Sequence, residues 1–582
     1  MDITTKRAQL QEVSNAHEAL ISPLRRIPPE ILQMIFVWCL PTNRNAVMHA
    51  SEAPVLLGRV CSRWRQISLN TPEVWATLHI VPPNVNFSKL TSSAARFQRK
   101  RDLIEMWLKR SGACPLDISF VWFAGDSEDE IKLCGSLLEA LVPMCSRWRV
   151  LDFQAPLRMF KPFVGLTVQD VPLLEGMSLM DNRTPLDADT VDCWPNSLEF
   201  VESASKLRTF TLTFFSGGIR LPSIPWYQLT ILYLESNISF FFCDSAEMLS
   251  TLAQCTSLQS CTLKFPLSHT ASLPSYEKLD SPINLPQLHT LCLDGDQHLH
   301  NTFHMSNTLM NICAPKLRKL EILGRSGRPD GDTAAEPLSA IKTLLHRSKC
   351  PLERLNVESM TMLPDEFISC LRLIPTLVEL VVHNWALRIP SGTGNGEEET
   401  QESTEVAENL ILKALTISPK NTHVLDAPED DGIVVNSVDV VPILDAREPD
   451  SRHDTSESKT QLVVEDPVHT KYKPGPTIDS TDFLPALDNS PICPRLERFD
   501  FTLCDASQAL LCDFVSSRWE NLPEGVARIK SVKGNFTAFE DEMVKMRMQK
   551  FRSEGLDAFV TYQVPITDDM NPSPWTGLEG PP

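Results

Sequence analysis

The sequence has few of the features that mark secreted, membrane or metal-binding proteins. No apolar run approaches the ~18 residues needed to span a bilayer, and the opening MDITTKRAQLQEV lacks a signal-peptide core. The 16 cysteines include no C-x-x-C pair. We therefore expect free thiols in a reducing compartment, cytoplasmic or nuclear, and no membrane contact.

Motifs of nucleotide-binding and hydrolytic enzymes are also missing. The sequence has no phosphate-binding G-x-x-x-x-G-K-[ST], no H-E-x-x-H, no G-x-S-x-G and no dinucleotide glycine fingerprint. His298, His300 and His304 stand close together, but no acid or cysteine completes a ligand set at a suitable spacing. We predict a protein that is not an enzyme and has no cofactor and no metal; an unrecognised catalytic site is the weakest alternative.

Charge is unevenly distributed along the 582 residues. The formal net charge is -20, which argues against binding to nucleic acid or to an anionic membrane surface. Residues 391–491 hold 21 acids and 7 bases, whereas the rest holds 53 acids and 47 bases. Because this acidic part has few aromatic residues and poor periodicity, we predict disorder over an acidic loop (391–408) and an acidic insert (419–491).

The stretch from Ser22 to Ile80 carries more apolar surface than short helices can bury. Pro28-Pro29-Glu30 predicts a helix start, because proline suits the first turn and an acid stabilises the positive end of the helix dipole. Further helices are predicted from 55 to 67 and from residue 71 onward. The apolar side chains of the first helix fall on two faces: Ile31, Ile35 and Trp38, and Leu32, Phe36 and Leu40. We therefore predict an exposed apolar surface that binds another protein.

Four motifs in this stretch resemble the F-box, in the form common in fungal F-box proteins: PPEIL at 28–32, IF at 35–36, VCSRW at 60–64 and PEVW at 72–75. The resemblance covers about a tenth of the chain, and Ile27 stands where leucine is usual. It implies docking to the Skp adaptor of a Skp–cullin–F-box ubiquitin ligase and, through it, to cullin. The residues expected at that interface are Leu24, Ile27, Pro28, Pro29, Ile31, Leu32, Ile35, Phe36, Val60, Trp64 and Trp75. An ordinary helical subdomain is the alternative, and Trp64 could belong to its core.

The remainder of the chain repeats one short unit, apolar-x-x-apolar-x-apolar. Twelve copies begin at Leu116, Trp148, Leu174, Leu207, Leu229, Leu258, Leu288, Leu317, Leu352, Leu377, Leu412 and Leu496. All intervals but the last, which is 84 residues, measure 22 to 35 residues, near the ~20–29 of leucine-rich repeats. Each unit predicts a strand whose fourth and sixth positions face the core and whose third and fifth face outward, on the concave side. Helices are predicted between strands at 129–142, 246–255, 338–347 and 365–374.

These patterns predict an α/β chain: a small three-helix F-box, then an irregular leucine-rich-repeat solenoid of horseshoe form, with an acidic disordered insert. A general α/β domain with coincidental strands is the alternative. The predicted segments are an N-terminal helical or flexible segment (1–21), the F-box (22–80), the repeat region (100–390), the acidic loop (391–408), a repeat strand (409–418), the acidic insert (419–491), a C-terminal repeat and cap (492–564), and a flexible tail (565–582).

Outward positions of the repeats are the candidate contacts for a target protein. They are Tyr233, Lys319, Glu321, Arg354, Asn356, Glu379, Arg498 and Asp500. Their mixed charge indicates a polar partner without specifying one. The expected function is that of a substrate-recognition adaptor in a ubiquitin ligase; the alternative is an interaction scaffold that acts without ubiquitination.

Overall fold

The computed structural model describes most of the chain apart from two long stretches, 388–407 and 418–489. The other undescribed residues are 1–2, 22–25, 84–89, 123–127, 182–195, 203, 215–220, 237–244, 266–280, 297–298, 326–336, 359–360, 363, 384–385, 503–505, 521, 537 and 563–582. The predicted acidic loop, acidic insert and flexible tail therefore lie almost entirely outside the described residues.

The described part is mixed α/β. Its helices are α1 (Ile3–Ile21), α2 (Pro29–Trp38), α3 (Leu57–Val60), α4 (Ser62–Leu69), α5 (Leu90–Arg110), α6 (Glu128–Glu139), α7 (Ser245–Gln254), α8 (Leu299–Asn311), α9 (Pro337–Ser348), α10 (Pro364–Arg372), α11 (408–415), α12 (Gln508–Ser517) and α13 (Glu542–Ser553). Short 3₁₀ helices lie at Pro72–Trp75, Val142–Arg147, Leu157–Phe163, Val168–Asp170, Asn196–Val201 and Trp226–Gln228.

Strands follow one another along the chain. They are β1 (Thr77–Ile80), β2 (Leu116–Val121), β3 (Trp148–Gln154), β4 (Gly176–Asp181), β5 (Thr209–Phe214), β6 (Ile231–Ser236), β7 (Ser260–Phe265), β8 (Ile283–Asn284), β9 (Thr290–Asp296), β10 (Ile312–Cys313), β11 (Lys319–Arg325), β12 (Arg354–Glu358), β13 (Thr361–Met362), β14 (Glu379–His383), β15 (Ala386–Leu387), β16 (Arg498–Thr502), β17 (Ser531–Phe536) and β18 (Asp557–Tyr562).

Fourteen of these strands form one parallel sheet in which spatial order equals chain order. The two-residue strands pair separately, β8 with β10 and β13 with β15. Because parallel neighbours need a crossover connection, each strand is followed by a segment that returns along one face of the sheet. This arrangement is compatible with a solenoid, in which each unit contacts its neighbours in sequence.

Rows of apolar side chains cross the sheet on its inner face. In the strand register Phe210 of β5 stands beside Leu232 of β6 and Cys261 of β7, and all three are buried. A second row lies two residues further along each strand and runs alongside the first row. Leu212, for example, stands beside Leu234. Each row is continuous because the sequence repeats the same fourth and sixth positions. Stacking of these rows builds one shared core instead of separate small ones.

The repeat pattern located the strands well. Eleven of the twelve copies coincide with strands β2 to β7, β9, β11, β12, β14 and β16. The four predicted helices correspond to α6, α7, α9 and α10. The prediction of an α/β chain with stacked parallel strands is thus confirmed at the level of a mixed α/β fold with a long parallel sheet.

The predicted repeat strand at 409–418 is wrong. Residues 408–415 form helix α11, and β14 pairs directly with β16. Ile411, Leu412 and Leu415 are buried, a spacing that suits one face of a helix. Ser507 N–H donates to Asn409 Oδ1 at 2.8 Å and Ile417 N–H to Ser517 Oγ at 3.1 Å, so α11 lies beside α12. The segment therefore supplies a crossover helix and not a strand.

The helical module, residues 29–75, differs from the three-helix prediction. The helix predicted from 55 to 67 is broken at Cys61, which is extended and whose Sγ accepts a hydrogen bond from Trp64 N–H at the start of α4. The third helix is a single 3₁₀ turn, Pro72–Trp75. Strand β1 begins at Thr77, inside the range predicted as the F-box, and pairs with β2. The sheet therefore starts within residues 22–80, before the predicted repeat region.

Candidate interaction surfaces

The core of the helical module contains three of the predicted docking residues. Leu32, Phe36 and Trp75 are 0 to 3 % exposed. The Phe36 ring packs against Trp64 at a centroid distance of 4.9 Å, and the Trp75 indole N–H donates to the Ser68 carbonyl at 2.8 Å. These three side chains support the module from within and are not available to a partner. Their assignment to the docking surface is corrected for that reason.

Large apolar side chains remain exposed on two helices of the module. We call them the apolar patch: Ile31, Met34 and Trp38 of α2, exposed by 42, 50 and 81 %, and Leu56 and Val60 at α3, exposed by 41 and 55 %. Residues three, four and seven positions apart share a helix face, so each group forms a stripe. Trp38 is the most exposed of these side chains, and tryptophan is one of the residue types enriched at interface hot spots.

The other predicted docking residues lie around the start of α2. Pro28 is the N-cap of α2 and Pro29 its first residue, and both are exposed. Ile27, Ile35 and Trp64 are half-buried against the core. The Ile27 carbonyl accepts a hydrogen bond of 2.6 Å from Arg63 Nη2, which ties the start of α2 to α4. Leu24 lies outside the described residues. Met34, Trp38 and Leu56 were not predicted as contacts.

The second surface is the outer face of the sheet, formed by the third and fifth positions of each repeat. All eight candidate target contacts lie on it, in two rows of the strand register. Lys319, Arg354, Glu379 and Arg498 stand in one row, and Tyr233, Glu321, Asn356 and Asp500 in the other. The prediction that these residues share a face is confirmed, because strand alternation alone fixes the side on which they lie.

Charges of opposite sign alternate across this outer face. Glu379 lies between two guanidinium groups, at 2.9 Å from Arg354 Nη1 and 3.1 Å from Arg498 Nη2. Arg354 also contacts Glu321, with 3.3 Å between Nε and Oε1. Further along the same pair of strands, β14 and β16, His383 Nε2 lies 2.7 Å from Asp500 Oδ1. These half-exposed pairs contribute little to stability individually, and they present both signs of charge to solvent.

A second charged group surrounds Lys264 of β7. Its ammonium lies 3.5 Å from Glu235 and 3.7 Å from Asp294, on the strands to either side. The Tyr233 hydroxyl donates to Glu235 Oε2 at 2.6 Å. Hydrogen bonding with Tyr233, together with the nearby carboxylates, raises the pKa of Lys264, so this lysine is cationic at neutral pH. From β6 to β17 the outer face thus carries charged side chains of both signs, paired across adjacent strands.

One thiol belongs to the row of Tyr233, and it is not activated. Cys292, the only candidate thiol in the row of Tyr233 among the described strands, has its pKa raised to about 12 by burial. The described residues contain no group of three or more His, Cys, Asp or Glu that could hold a metal ion. The side chains of His298, His300 and His304 lie outside the described part. Within it, no helix is both long enough and apolar enough to cross a membrane.

No protein-family model matches this chain, and a search of curated proteins finds no match either. The resemblance to F-box proteins therefore rests on the four motifs alone.

Proposed function

We propose that this protein is a substrate-recognition adaptor of a Skp–cullin–F-box ubiquitin ligase. The observation that carries the proposal is the apolar patch on the helical module. Phe36 and Trp75 of the module are buried, Phe36 against Trp64 and Trp75 against Trp107 of α5, yet Trp38 remains 81 % exposed. An apolar surface left over after the core is complete favours a protein partner. The motifs at 28–32, 35–36, 60–64 and 72–75 favour the Skp adaptor as that partner.

The outer face of the sheet is the proposed target surface. Its paired charges around Glu379 and Lys264 suit a target that also carries both signs, since a partner of one sign would meet repulsion at every second strand. The adaptor itself performs no bond chemistry in this proposal. It raises the effective concentration of the target near a charged conjugating enzyme held by other subunits.

Binding of the full chain to purified Skp adaptor tests the docking role. The variant Trp38→Ala/Val60→Ala removes two exposed anchors and leaves the core intact. Interface anchors each cost about 2 kcal/mol when truncated, so each substitution should weaken binding about thirtyfold. The matched control is Phe559→Ala on β18, an apolar side chain that is 64 % exposed at the opposite end of the sheet. It should bind like the wild type.

Two results would count against the proposal. Wild-type protein that is folded but does not bind the Skp adaptor would remove the ligase role. Equal weakening by Phe559→Ala would show that the apolar patch is not the contact. If the Skp adaptor binds but neither cullin nor ubiquitin transfer follows in a reconstituted reaction, the chain is an interaction scaffold.

A further inference from the structure

A pocket of about 370 Å³ lies between the helical module and α5. Residues from the 3₁₀ turn, α3 and α4 form one side, and Leu103, Met106 and Trp107 of α5 form the other. This volume is in the range of pockets that hold small molecules. The proposed target surface on the sheet does not contribute to it.

Carbon surface forms the pocket wall. The indoles of Trp75 and Trp107 meet edge to face, with centroids 4.8 Å apart. Both indole N–H groups are already engaged, with the Ser68 carbonyl at 2.8 Å and the Thr77 carbonyl at 3.2 Å. Each ring is only 3 % exposed, so the two indoles form the closed inner wall of the pocket, and Leu69, Leu103 and Met106 supply its open apolar surface.

Three arginines complete the lining, and no acidic residue does. Arg59 Nη1 donates to the Ala50 carbonyl at 3.3 Å, Arg65 Nε donates to the Gly58 carbonyl at 2.6 Å, and the Arg110 guanidinium lies 4.6 Å from the Trp75 ring centroid. None of the three forms an ion pair within the described part of the chain. By contrast, Arg101, Arg149, Arg354 and Arg498 each have a carboxylate partner.

These three cations share one pocket with apolar carbon, and no ion pair in the described part of the chain compensates their charge. Partial burial lowers the pKa of Arg110, which is the effect of desolvation without a nearby anion. An anion bound in the pocket would supply the negative charge that these guanidinium groups lack, and guanidinium geometry suits carboxylate, sulfonate and phosphate groups.

We propose that this pocket binds a small amphiphilic acid, with its apolar body against Leu69, Leu103 and Met106 and its anionic group on Arg59, Arg65 and Arg110. Val55 and Arg59 of the α3 region line the pocket. Leu56 and Val60 of the apolar patch, each the next residue along the chain, do not line it and are exposed. Occupancy of the pocket is therefore separable from docking of a protein on the patch, and the proposal does not rest on the proposed function.

Calorimetric titration of the full chain with 2-naphthoate and with its neutral analogue 2-naphthamide tests the proposal. We expect saturable binding of the carboxylate, at least tenfold tighter than binding of the amide and weakened by 0.5 M NaCl. Arg59→Gln/Arg65→Gln changes two exposed side chains and should weaken naphthoate binding at least tenfold without affecting the amide. Arg99→Gln, an exposed arginine on α5 away from the pocket lining, is the matched control and should change neither.

A second variant covers the case in which the double substitution disturbs folding. Leu103→Glu places an acid at a pocket position that is 45 % exposed and should abolish naphthoate binding. Equal affinity for the acid and the amide, or naphthoate binding unchanged in both variants, would overturn the proposal. A capped tetrapeptide alternating aspartate and leucine that binds tenfold tighter than naphthoate would overturn it in favour of a protein segment.

Discussion

Replacing Arg518 with methionine is expected to destabilise the connection between β14 and β16, in which the predicted repeat strand at 409–418 folds as helix α11 instead. Arg518 follows α12 and is fully buried. Its guanidinium donates four hydrogen bonds: two to the Leu415 carbonyl, at 3.1 and 3.0 Å, one to Cys493 at 3.0 Å and one to Ile492 at 2.7 Å. One side chain thus joins the end of α11 to the segment that leads into β16.

The size of the effect follows from the hydrogen bonds that these carbonyls lose when the Arg518 guanidinium is removed. Each buried carbonyl left without a donor costs about 1–3 kcal/mol, and the carbonyls of Leu415 and Ile492 depend on Arg518, whereas that of Cys493 also accepts from Leu496 N–H at 3.1 Å. Removing a buried cation recovers part of its desolvation cost, and burial indeed lowers the pKa of Arg518 to about 10. The net loss should therefore be about 2–4 kcal/mol, which overlaps the lower part of the range for breaking a buried charged network.

Urea unfolding followed by circular dichroism, with hydrogen exchange over 408–417 and 491–502, measures this loss. Arg547→Met is the matched control, because Arg547 pairs with Asp513 at 2.9 Å on the surface and should cost less than about 1 kcal/mol. Arg518→Lys keeps the charge but not the planar set of donors. Its loss of stability should therefore fall between those of Arg518→Met and Arg547→Met. A cost below about 1 kcal/mol for Arg518→Met, with unchanged exchange, would refute the reasoning.

Three more outcomes concern single side chains. Among the described cysteines only Cys39 and Cys61 are exposed, so a short iodoacetamide pulse should label them first by mass spectrometry; bound Skp adaptor should protect them, and early labelling of a buried cysteine would contradict the structure. Burial lowers the pKa of His79, so the folded state binds a proton less readily than the unfolded state. The melting temperature should therefore fall as pH drops through about 6.5, and less so in His79→Gln; an equal fall in both would exclude His79 as the cause. Glu379→Gln should cost about 1 kcal/mol at low salt and much less in 0.5 M NaCl, and a cost independent of salt would rule out the ion pairs as its origin.

Strands were predictable where the repeat kept its apolar positions. β17 was missed because Gly534 stands at the sixth position, beside Val560 of β18. β18 was missed because Gly555 stands at its first position, three residues before Ala558. The segment from Trp75 to Ile80 does match the unit, but it was assigned to the predicted F-box, residues 22–80. The copy at Leu412 matched the unit and folds as a helix, since short apolar runs fit both periods.

The two surfaces differ in how far the sequence determines them. On the sheet, alternation places Glu379 and Arg498 on the outer face without knowledge of the tertiary structure. On α2 both faces are apolar, so the sequence does not say whether Phe36 or Trp38 points inward. That choice depends on Trp64 and the 3₁₀ turn, which pack on the Phe36 side. The arginine-lined pocket was not predictable at all, because its residues come from segments far apart in the sequence.

Deleting the helical module is a poor test of its function, and the structure predicts why. A chain that begins at residue 81 loses β1, whose four residues pair with β2, and loses the contact between Trp75 and Trp107. The edge of β2 and the buried face of α5 would then be open to solvent. Open strand edges pair with other chains, so this truncation should form soluble aggregates in size-exclusion chromatography with light scattering.

A chain beginning at residue 26 retains β1 and the module and should remain monomeric under the same conditions. If the chain beginning at 81 is also monomeric, with unchanged circular dichroism, β1 is dispensable and the module is an independent domain. If it aggregates, loss of Skp binding on truncation carries no information about the docking surface. Side-chain variants of the apolar patch in the full chain are then the experiments that separate docking from folding, because Trp38 and Val60 contribute exposed surface and not core.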